Sequence, residues 1–250
     1  MTFMFVKEIY AKTILSKSKV FDYTINPYIG CEHGCTYCYA RFMKRFTGHK
    51  EQWGRFVDVK VNAARLLQRE LKKRLSGRVW ISGVCDPYQP IEKKYALTRR
   101  CLEILSSHGW PITVQTKSPL VKRDLELLEK FNDIEVGLTV TTADDAIREI
   151  FEPSSSPIED RIETLETLHS AGVKTYAMIA PLLPKAETLV TQLSGKVDYV
   201  LIDRMNYHYA DSVYRKYGLE HAMTDDFFTR KKMEFAQALE KEAVPYQLLF

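Results

Sequence analysis

The 250-residue sequence contains no long apolar run and no segment with the composition of a linker. Because no stretch of about 18 apolar residues occurs, it predicts no membrane-spanning helix. The first residues mix charged with apolar side chains and offer no small-residue cleavage site, so we expect no secretory signal. Hydrophobic residues make up 45% and charged residues 27% of the chain, which excludes a disordered protein. We therefore expect a folded protein of the cytoplasm.

Several common catalytic motifs are also missing. The chain has no Walker A loop, no GxGxxG, no HExxH and no GxSxG. The sequence therefore gives no support for a nucleotide hydrolase, a dinucleotide-dependent dehydrogenase, a zinc protease of the HExxH type or an α/β-hydrolase. Cysteine is scarce and odd in number, at five residues. An odd count without an export signal argues against a disulfide framework.

The cysteines that are present cluster. Three of them form a CxxxCxxC pattern within eight residues: Cys31, Cys35 and Cys38. Thiolates are soft ligands that select zinc, copper or iron–sulfur clusters. A structural zinc site uses four ligands, usually as two separated pairs. Here the candidates for a fourth ligand are Cys85, Cys101 and His33. Three cysteines on a [4Fe–4S] cluster would instead leave one iron open to a small molecule.

Strand-like and helix-like segments alternate along the chain. The predicted strands are 22–29, 79–84, 112–116, 134–140, 173–180 and 197–203. Helical periodicity covers 59–75, 92–107, 120–130, 157–171 and 185–194. Such a series predicts an α/β fold with a parallel sheet, and a doubly wound sheet fits the same order.

The positions of the candidate chemical residues favour a barrel, because they fall at the carboxyl ends of successive strands. We expect a partial (β/α)6 TIM-type barrel over residues 1–203. Residues 204–250 are expected to form a C-terminal helical extension packed on the barrel, within a single structural domain. Its helix is predicted from about Asp225 to Lys241, capped by Thr224 or Asp225. The last residues, VPYQLLF, fit either a strand or an apolar strap.

Charge and tyrosine are unevenly distributed. Residues 41–78 contain twelve Lys or Arg and three acidic residues, a net charge of +9, whereas the whole chain carries +4. A basic segment beside a reactive centre suits a phosphate-bearing substrate, and a solvated helix face is the plainer interpretation. Five tyrosines fall in one short segment: Tyr199, Tyr207, Tyr209, Tyr214 and Tyr217. Packing is the favoured interpretation for them, ahead of a substrate channel, base stacking or radical relay.

The cysteine motif and five further segments together resemble the radical S-adenosylmethionine (SAM) superfamily. Within it they are most similar to the spore photoproduct lyase-like, "DNA repair photolyase"-type branch. The similar segments, spread over residues 22–185, are NPYIGCEHGCTYCYAR, SGVCDPYQPIE, TKSPLVKRD, LTVTT, FEPSSSPIEDRIE and APLLP. The resemblance implies a [4Fe–4S] cluster on the three cysteines and SAM on its open iron. Reductive cleavage of SAM then gives a 5′-deoxyadenosyl radical that abstracts hydrogen from a substrate.

The resemblance also implies roles for individual residues. It gives cofactor-binding positions to Asp86, Lys117, Thr139, Ala180 and Pro181. Thr141 is a further cofactor-binding candidate, because it lies two residues after Thr139 and on a strand the two would share one face. Lys117 matches a contact to the SAM carboxylate, Thr139 matches a hydroxyl that bonds SAM, and Ala180–Pro181 match a segment that reads adenine. The candidate catalytic residues are Cys85, Tyr39 and Tyr37. Plainer roles exist for these side chains: strand filling, aromatic packing, a surface lysine and a buried thiol.

One departure from the lyase pattern bears on the substrate. The lyase has a cysteine that returns a hydrogen atom to the product radical, and Gly83 occupies that position here. Cys85 lies two residues further on the same strand face. We also expect the protein to lack the N-terminal extension that the lyase carries before its cluster. We expect a radical SAM enzyme of lyase-like chemistry that acts on a nucleic acid or nucleotide, bound through residues 41–78.

Two other functions stay open at this point. One is radical modification of a peptide or small molecule. The other is a non-catalytic iron–sulfur or zinc-binding protein. The resemblance further implies an electron donor of the flavodoxin or ferredoxin type. Because the sequence has no long apolar run, we expect no membrane partner.

Overall fold

The computed structural model describes residues 4–250, which form two compact units. The first unit holds the chain up to Gly34 together with Ala40–Val136, and the second holds Cys35–Tyr39 with Gly137–Phe250. Each unit alternates strands with helices. In residues 4–250, no helix combines the length and the hydropathy needed to cross a membrane.

The first unit contains a mostly parallel run of strands and a second, small sheet. Its strands are β1 (Phe5–Ile9), β2 (Leu15–Lys17), β3 (Tyr23–Ile25), β4 (Tyr28–Ile29), β5 (Phe56–Lys60), β6 (Val79–Ile81) and β7 (Ile112–Thr116). β3, β6 and β7 pair in parallel, and β2 joins β3 antiparallel. The small sheet has the order β1-β5-β4. Polar residues that follow β6 and β7 thus emerge at one edge of the unit.

The helices of this unit correct two predictions. They are α1 (Ala63–Leu71), α2 (Glu92–Tyr95), α3 (Leu97–Ser107) and α4 (Leu125–Leu128). The helix predicted over 59–75 begins too early, because Val59 lies in β5, where burial on both faces suits a strand. The helix predicted over 92–107 is interrupted at Ala96, whose φ of +50° lies in the left-handed region.

The second unit continues the pattern. The boundary between units falls within β8 (Ile134–Thr139), and the later strands are β9 (Lys174–Ile179), β10 (Tyr199–Ile202) and β11 (Tyr246–Leu248). β9, β10 and β11 are parallel neighbours, so the chain end forms a strand rather than a strap. The helices are α5 (Asp145–Phe151), α6 (Ile158–Ser170), α7 (Leu189–Leu193), α8 (Asp211–Lys216) and α9 (Asp225–Lys241).

Local signals at helix ends explain much of this unit. Thr224 Oγ1 accepts a hydrogen bond from the Phe227 amide at 3.2 Å, which confirms the predicted cap of α9. Gly172 follows α6 with a φ of +80°, a conformation that costs glycine little. The unpredicted helix α5 is capped by Asp144, whose side chain accepts from the Ala146 amide at 2.8 Å.

Candidate functional site

Two glycines shape the loop that carries Cys31 in the first unit. Gly30 has a φ of +88° and Gly34 a φ of +61°. A Cβ atom on Gly30 would lie 2.2 Å from the carbonyl oxygen of Phe56, so no side chain fits there. A Cβ on Gly54 would lie 2.6 Å from the Gly34 Cα. The loop therefore passes too close to its neighbours for any residue except glycine at these points.

The loop around Cys31 is held by hydrogen bonds from the segment after β6. Gln89, which is fully buried, accepts from the Glu32 amide at 2.9 Å and donates to the Gly30 carbonyl at 3.2 Å. Glu32 in turn accepts from the Ile91 amide at 2.5 Å. Both sides of Cys31 are thus fixed by one neighbouring segment. Sequence reasoning missed Gln89, although it lies in the SGVCDPYQPIE segment.

Asp86 connects the segment after β6 with the end of β7. Because β6 ends at Ile81, the strand predicted over 79–84 is too long, and the prediction that Gly83 and Cys85 share a strand face is wrong. The Asp86 carboxylate lies 3.2 Å from His33 Nε2 and accepts from the Thr116 hydroxyl at 2.6 Å and the Lys117 amide at 2.8 Å. Burial alone would raise the pKa of Asp86, but His33 and these hydrogen bonds lower it to about 2. The structure brings Asp86 and Lys117 together, and their contact with SAM stays a prediction.

The low pKa of Asp86 makes stability depend on pH. Its ordinary pKa is about 3.9, so the stabilisation is present above that value and disappears as pH falls towards about 2. A depression of this size is worth about 2 kcal/mol. In urea unfolding of the cluster-free protein, wild type should exceed Asp86→Asn in stability at pH 7, and the difference should shrink by about 2 kcal/mol towards pH 2. The exposed Asp133→Asn is the control, and a wild-type advantage over Asp86→Asn that stayed constant with pH would contradict the prediction.

Cys85 lies one residue before Asp86 in a different environment. Its Sγ lies 3.0 Å from the Ser82 hydroxyl, and the side chain packs against a buried cluster that includes Tyr28 and Leu97. Burial raises the pKa of the Cys85 thiol to about 11, so the sulfur keeps its hydrogen at neutral pH. A neutral thiol is the form that a hydrogen-atom donor needs, and it also suits packing. The donor role remains a prediction.

In the second unit, the segment between Cys35 and Cys38 is attached to the end of α5. The Thr36 amide donates to the Phe151 carbonyl at 2.8 Å, and the Tyr37 hydroxyl donates to the Glu152 carboxylate. Burial, and then the Glu152 charge, raise the pKa of Tyr37 well above its ordinary value. Tyr37 is therefore a protonated, buried phenol that holds the backbone between two of the cysteines.

Glu152 belongs to an ion pair that is completely buried with Arg161. Arg161 Nη1 lies 2.7 Å from Glu152 Oε2 and donates to the Thr139 carbonyl at 2.9 Å. The Thr141 hydroxyl donates to Glu152 Oε1 at 3.0 Å. The network thus gathers both predicted strand residues, Thr139 and Thr141, beside the Cys35–Cys38 segment. Sequence reasoning missed Glu152 and Arg161 even though both lie in FEPSSSPIEDRIE.

The residues predicted to read adenine lie just after β9. The backbone beyond Ala180 and Pro181 is bound on both sides: the Leu182 amide donates to the Asp203 carbonyl at 2.8 Å, and the Leu183 amide donates to the Thr141 carbonyl at 3.0 Å. Pro181 is buried and Ala180 is half-buried. This segment is therefore a rigid backbone at the strand ends, and its contact with adenine stays a prediction.

The chemistry of the donors fits an iron–sulfur cluster. Within residues 4–250 the cysteines form no disulfide, and Cys31 and Cys35 are buried while Cys38 is half-buried. Among residues 4–250, no group of three His, Cys, Asp or Glu side chains is placed to hold a single metal ion. A cubane does not require such a group, because its thiolates bind different irons.

The sequence is similar to a known protein family and to several proteins of other organisms. Residues 25–187 match the family model of the radical SAM superfamily. The chain is 40% identical over 179 residues to an uncharacterized protein of Methanocaldococcus jannaschii, a match that covers 71% of this chain and 67% of that relative. Four further relatives are 30–31% identical, and the chain spans 56% of their length.

Solved structures share the fold. Spore photoproduct lyase, in a complex with dinucleoside spore photoproduct, superposes with a TM-score of 0.72 at 15% identity, covering 98% of this chain and 82% of the lyase. SuiB of Streptococcus suis, bound to SAM, gives a TM-score of 0.54 at 16% identity, covering 100% of this chain and 51% of SuiB. These likenesses confirm the predicted fold class, an α/β fold of the partial TIM-barrel kind. With its family match, its fold and its cysteine motif, the chain belongs to the radical SAM superfamily, a family of enzymes whose cofactors are a [4Fe–4S] cluster and SAM.

Proposed function

We propose that this enzyme abstracts hydrogen from a nucleic acid or nucleotide substrate. The observation that carries the radical chemistry is the CxxxCxxC loop, whose two halves are each fixed by buried hydrogen bonds. Cys31, Cys35 and Cys38 would hold the cluster. When bound and reduced, the cluster supplies the electron that cleaves SAM to methionine and a 5′-deoxyadenosyl radical.

The remaining residues would bind and orient SAM. Asp86, ionised and buried, fixes the backbone of Lys117 at the end of β7, and the Lys117 ammonium would pair with the SAM carboxylate. Thr139 and Thr141 would offer polar groups at the end of β8, and Ala180–Pro181 would present backbone to adenine. Cys85 would donate a hydrogen atom to the product radical. An electron donor of the flavodoxin or ferredoxin type would reduce the cluster.

Charge supports a phosphate-bearing substrate. Helix α1 buries one face through Leu66, Leu67 and Leu71, and its basic residues lie on the exposed side, including Arg65 and Arg69. The 3-10 helix Tyr39–Phe46 carries Arg41, Lys44 and Arg45 and no acidic residue. Arg45 is exposed, whereas Arg41 and Lys44 are half-buried. Exposed cations such as Arg45, Arg65 and Arg69 can bind nucleic-acid backbones. Spore photoproduct lyase, whose fold is similar, forms a complex with dinucleoside spore photoproduct.

A deuterium-transfer experiment tests the substrate class. The anaerobically reconstituted, reduced protein should release 5′-deoxyadenosine from SAM, and a fully deuterated single-stranded oligonucleotide should pass deuterium into that product. Mass spectrometry of 5′-deoxyadenosine measures the transfer, with the unlabelled oligonucleotide as the control. Deuterium from a labelled peptide pool and none from oligonucleotides would replace this proposal with peptide modification. Methionine without 5′-deoxyadenosine would refute the radical cleavage itself.

A further inference from the structure

Three tyrosines of the second unit form a stacked, solvent-facing ladder. The rings of Tyr39 and Tyr207 have centroids 6.0 Å apart and planes 23° apart. The rings of Tyr207 and Tyr209 have centroids 5.9 Å apart and planes 17° apart. Their exposed fractions are 39%, 50% and 37%. The packing predicted for the tyrosine-rich segment is therefore wrong for Tyr207 and Tyr209, and also for Tyr217, which is exposed.

Other tyrosines in the same unit do fill the interior. Tyr214 is completely buried against Phe151 at a ring distance of 4.7 Å, and Tyr176, 3% exposed, stacks on Tyr199 at 5.2 Å. Ala210 and Tyr214, which follow the ladder residues in the chain, are completely buried. The ladder is thus an exposed surface on a fixed support, and large apolar surface left in water suggests a binding role.

The position of the ladder ties it to the proposed chemistry. Tyr39 directly follows Cys38, and Tyr207 and Tyr209 lie between β10 and α8, after the carboxyl end of a parallel strand. Ligands of barrel enzymes bind at that end of the strands. Tyr39 also begins the 3-10 helix that carries the exposed Arg45 and the half-buried Arg41 and Lys44, so the ladder is followed in the chain by basic residues.

We propose that Tyr39, Tyr207 and Tyr209 form a stacking platform for unpaired bases of a single-stranded nucleic acid. This rests on the proposed function and specifies its substrate as single-stranded. A nucleobase can stack on the outer face of near-parallel tyrosine rings, because every base has a flat aromatic face. In a duplex, those faces are covered by neighbouring bases. The adjoining cations favour a phosphate-bearing chain over an aromatic peptide.

Fluorescence anisotropy with a labelled single-stranded oligonucleotide tests the platform on the reconstituted protein. Tyr207→Ala should weaken binding about tenfold, since base–aromatic stacking is of that size. Tyr207→Phe keeps the ring and should stay within about twofold of wild type. Tyr217→Ala is the matched control, because Tyr217 is 48% exposed in the same segment but outside the ladder. Unfolding midpoints and cluster absorbance check that each variant is folded and loaded.

An abasic oligonucleotide of equal length separates stacking from charge. The platform predicts that wild type and Tyr207→Ala bind the abasic chain equally, because it offers phosphates without bases. Equal weakening on both oligonucleotides, or no weakening on either, would overturn the platform while leaving deuterium transfer, and so the proposed function, standing. A wild-type protein that binds no oligonucleotide, or prefers duplex or an aromatic peptide, overturns the platform as well.

Discussion

Protein in which Cys31, Cys35 and Cys38 are all replaced by alanine is expected to hold no [4Fe–4S] cluster after anaerobic reconstitution. Each substitution removes a soft thiolate, and no other cysteine lies in the motif to replace it. The iron and sulfide content, measured by chemical analysis, should fall from one full cubane per chain to background. Release of 5′-deoxyadenosine should fall with it, because SAM cleavage needs the reduced cluster.

Cys101→Ala is the matched control for this loss. Cys101 is completely buried in α3, where burial raises the pKa of its thiol to about 12. Removing it should cost about 1 kcal/mol of stability through lost packing and leave iron content unchanged. A triple variant that still bound its full iron and sulfide would show that these cysteines are not the ligands.

Arg161→Met should cost about 3–5 kcal/mol in the free energy of unfolding of the cluster-free protein, measured in urea. The substitution leaves Glu152 in the interior without its counter-charge, although Tyr37 and Thr141 still donate to it. Breaking one side of a buried pair costs far more than losing a surface pair, because the remaining charge stays desolvated.

Two further variants make the measurement specific to burial. Glu152→Gln combined with Arg161→Met removes both charges and should recover much of the lost stability. Lys231→Met removes a cation whose partners Glu187 and Glu234 are 49% and 41% exposed, so its cost should be about 1 kcal/mol or less. An Arg161→Met protein no less stable than Lys231→Met would contradict the role given to the ion pair.

Much of the fold was predictable because its signals are local. The periodicity of α6 and the cap of α9 lie within a few residues, and so does the spacing of the cysteine motif. The small sheet of β1, β4 and β5 was not predicted, since pairing between Phe5 and Phe56 depends on residues about fifty positions apart. Short strands without alternation give little sequence signal.

Some residues of the candidate site could be predicted from the sequence and others could not. The sequence identifies the cysteines, the strand-end threonines and Asp86 by their type and position. Glu152 and Arg161 belong to residue types that usually lie at the surface, so their burial is not expected from the sequence. Glu152 accepts a hydrogen bond from Tyr37, which lies 115 residues away in the sequence. No local pattern reports such a partner. The tyrosine ladder was missed for a related reason: the sequence shows that tyrosines are frequent but not which rings face the solvent.

The attachment of Thr36 and Tyr37 to the end of α5 bears on how the holoprotein is made and kept. These bonds involve protein atoms alone, so this part of the motif has its shape before iron arrives. Metal-dependent folding, as in zinc fingers, is then not needed here. Oxygen that destroys a cluster would leave a folded apoprotein behind. We expect fresh iron and sulfide to rebuild the cluster in this apoprotein, so that the same polypeptide would serve through repeated cycles of loss and reloading.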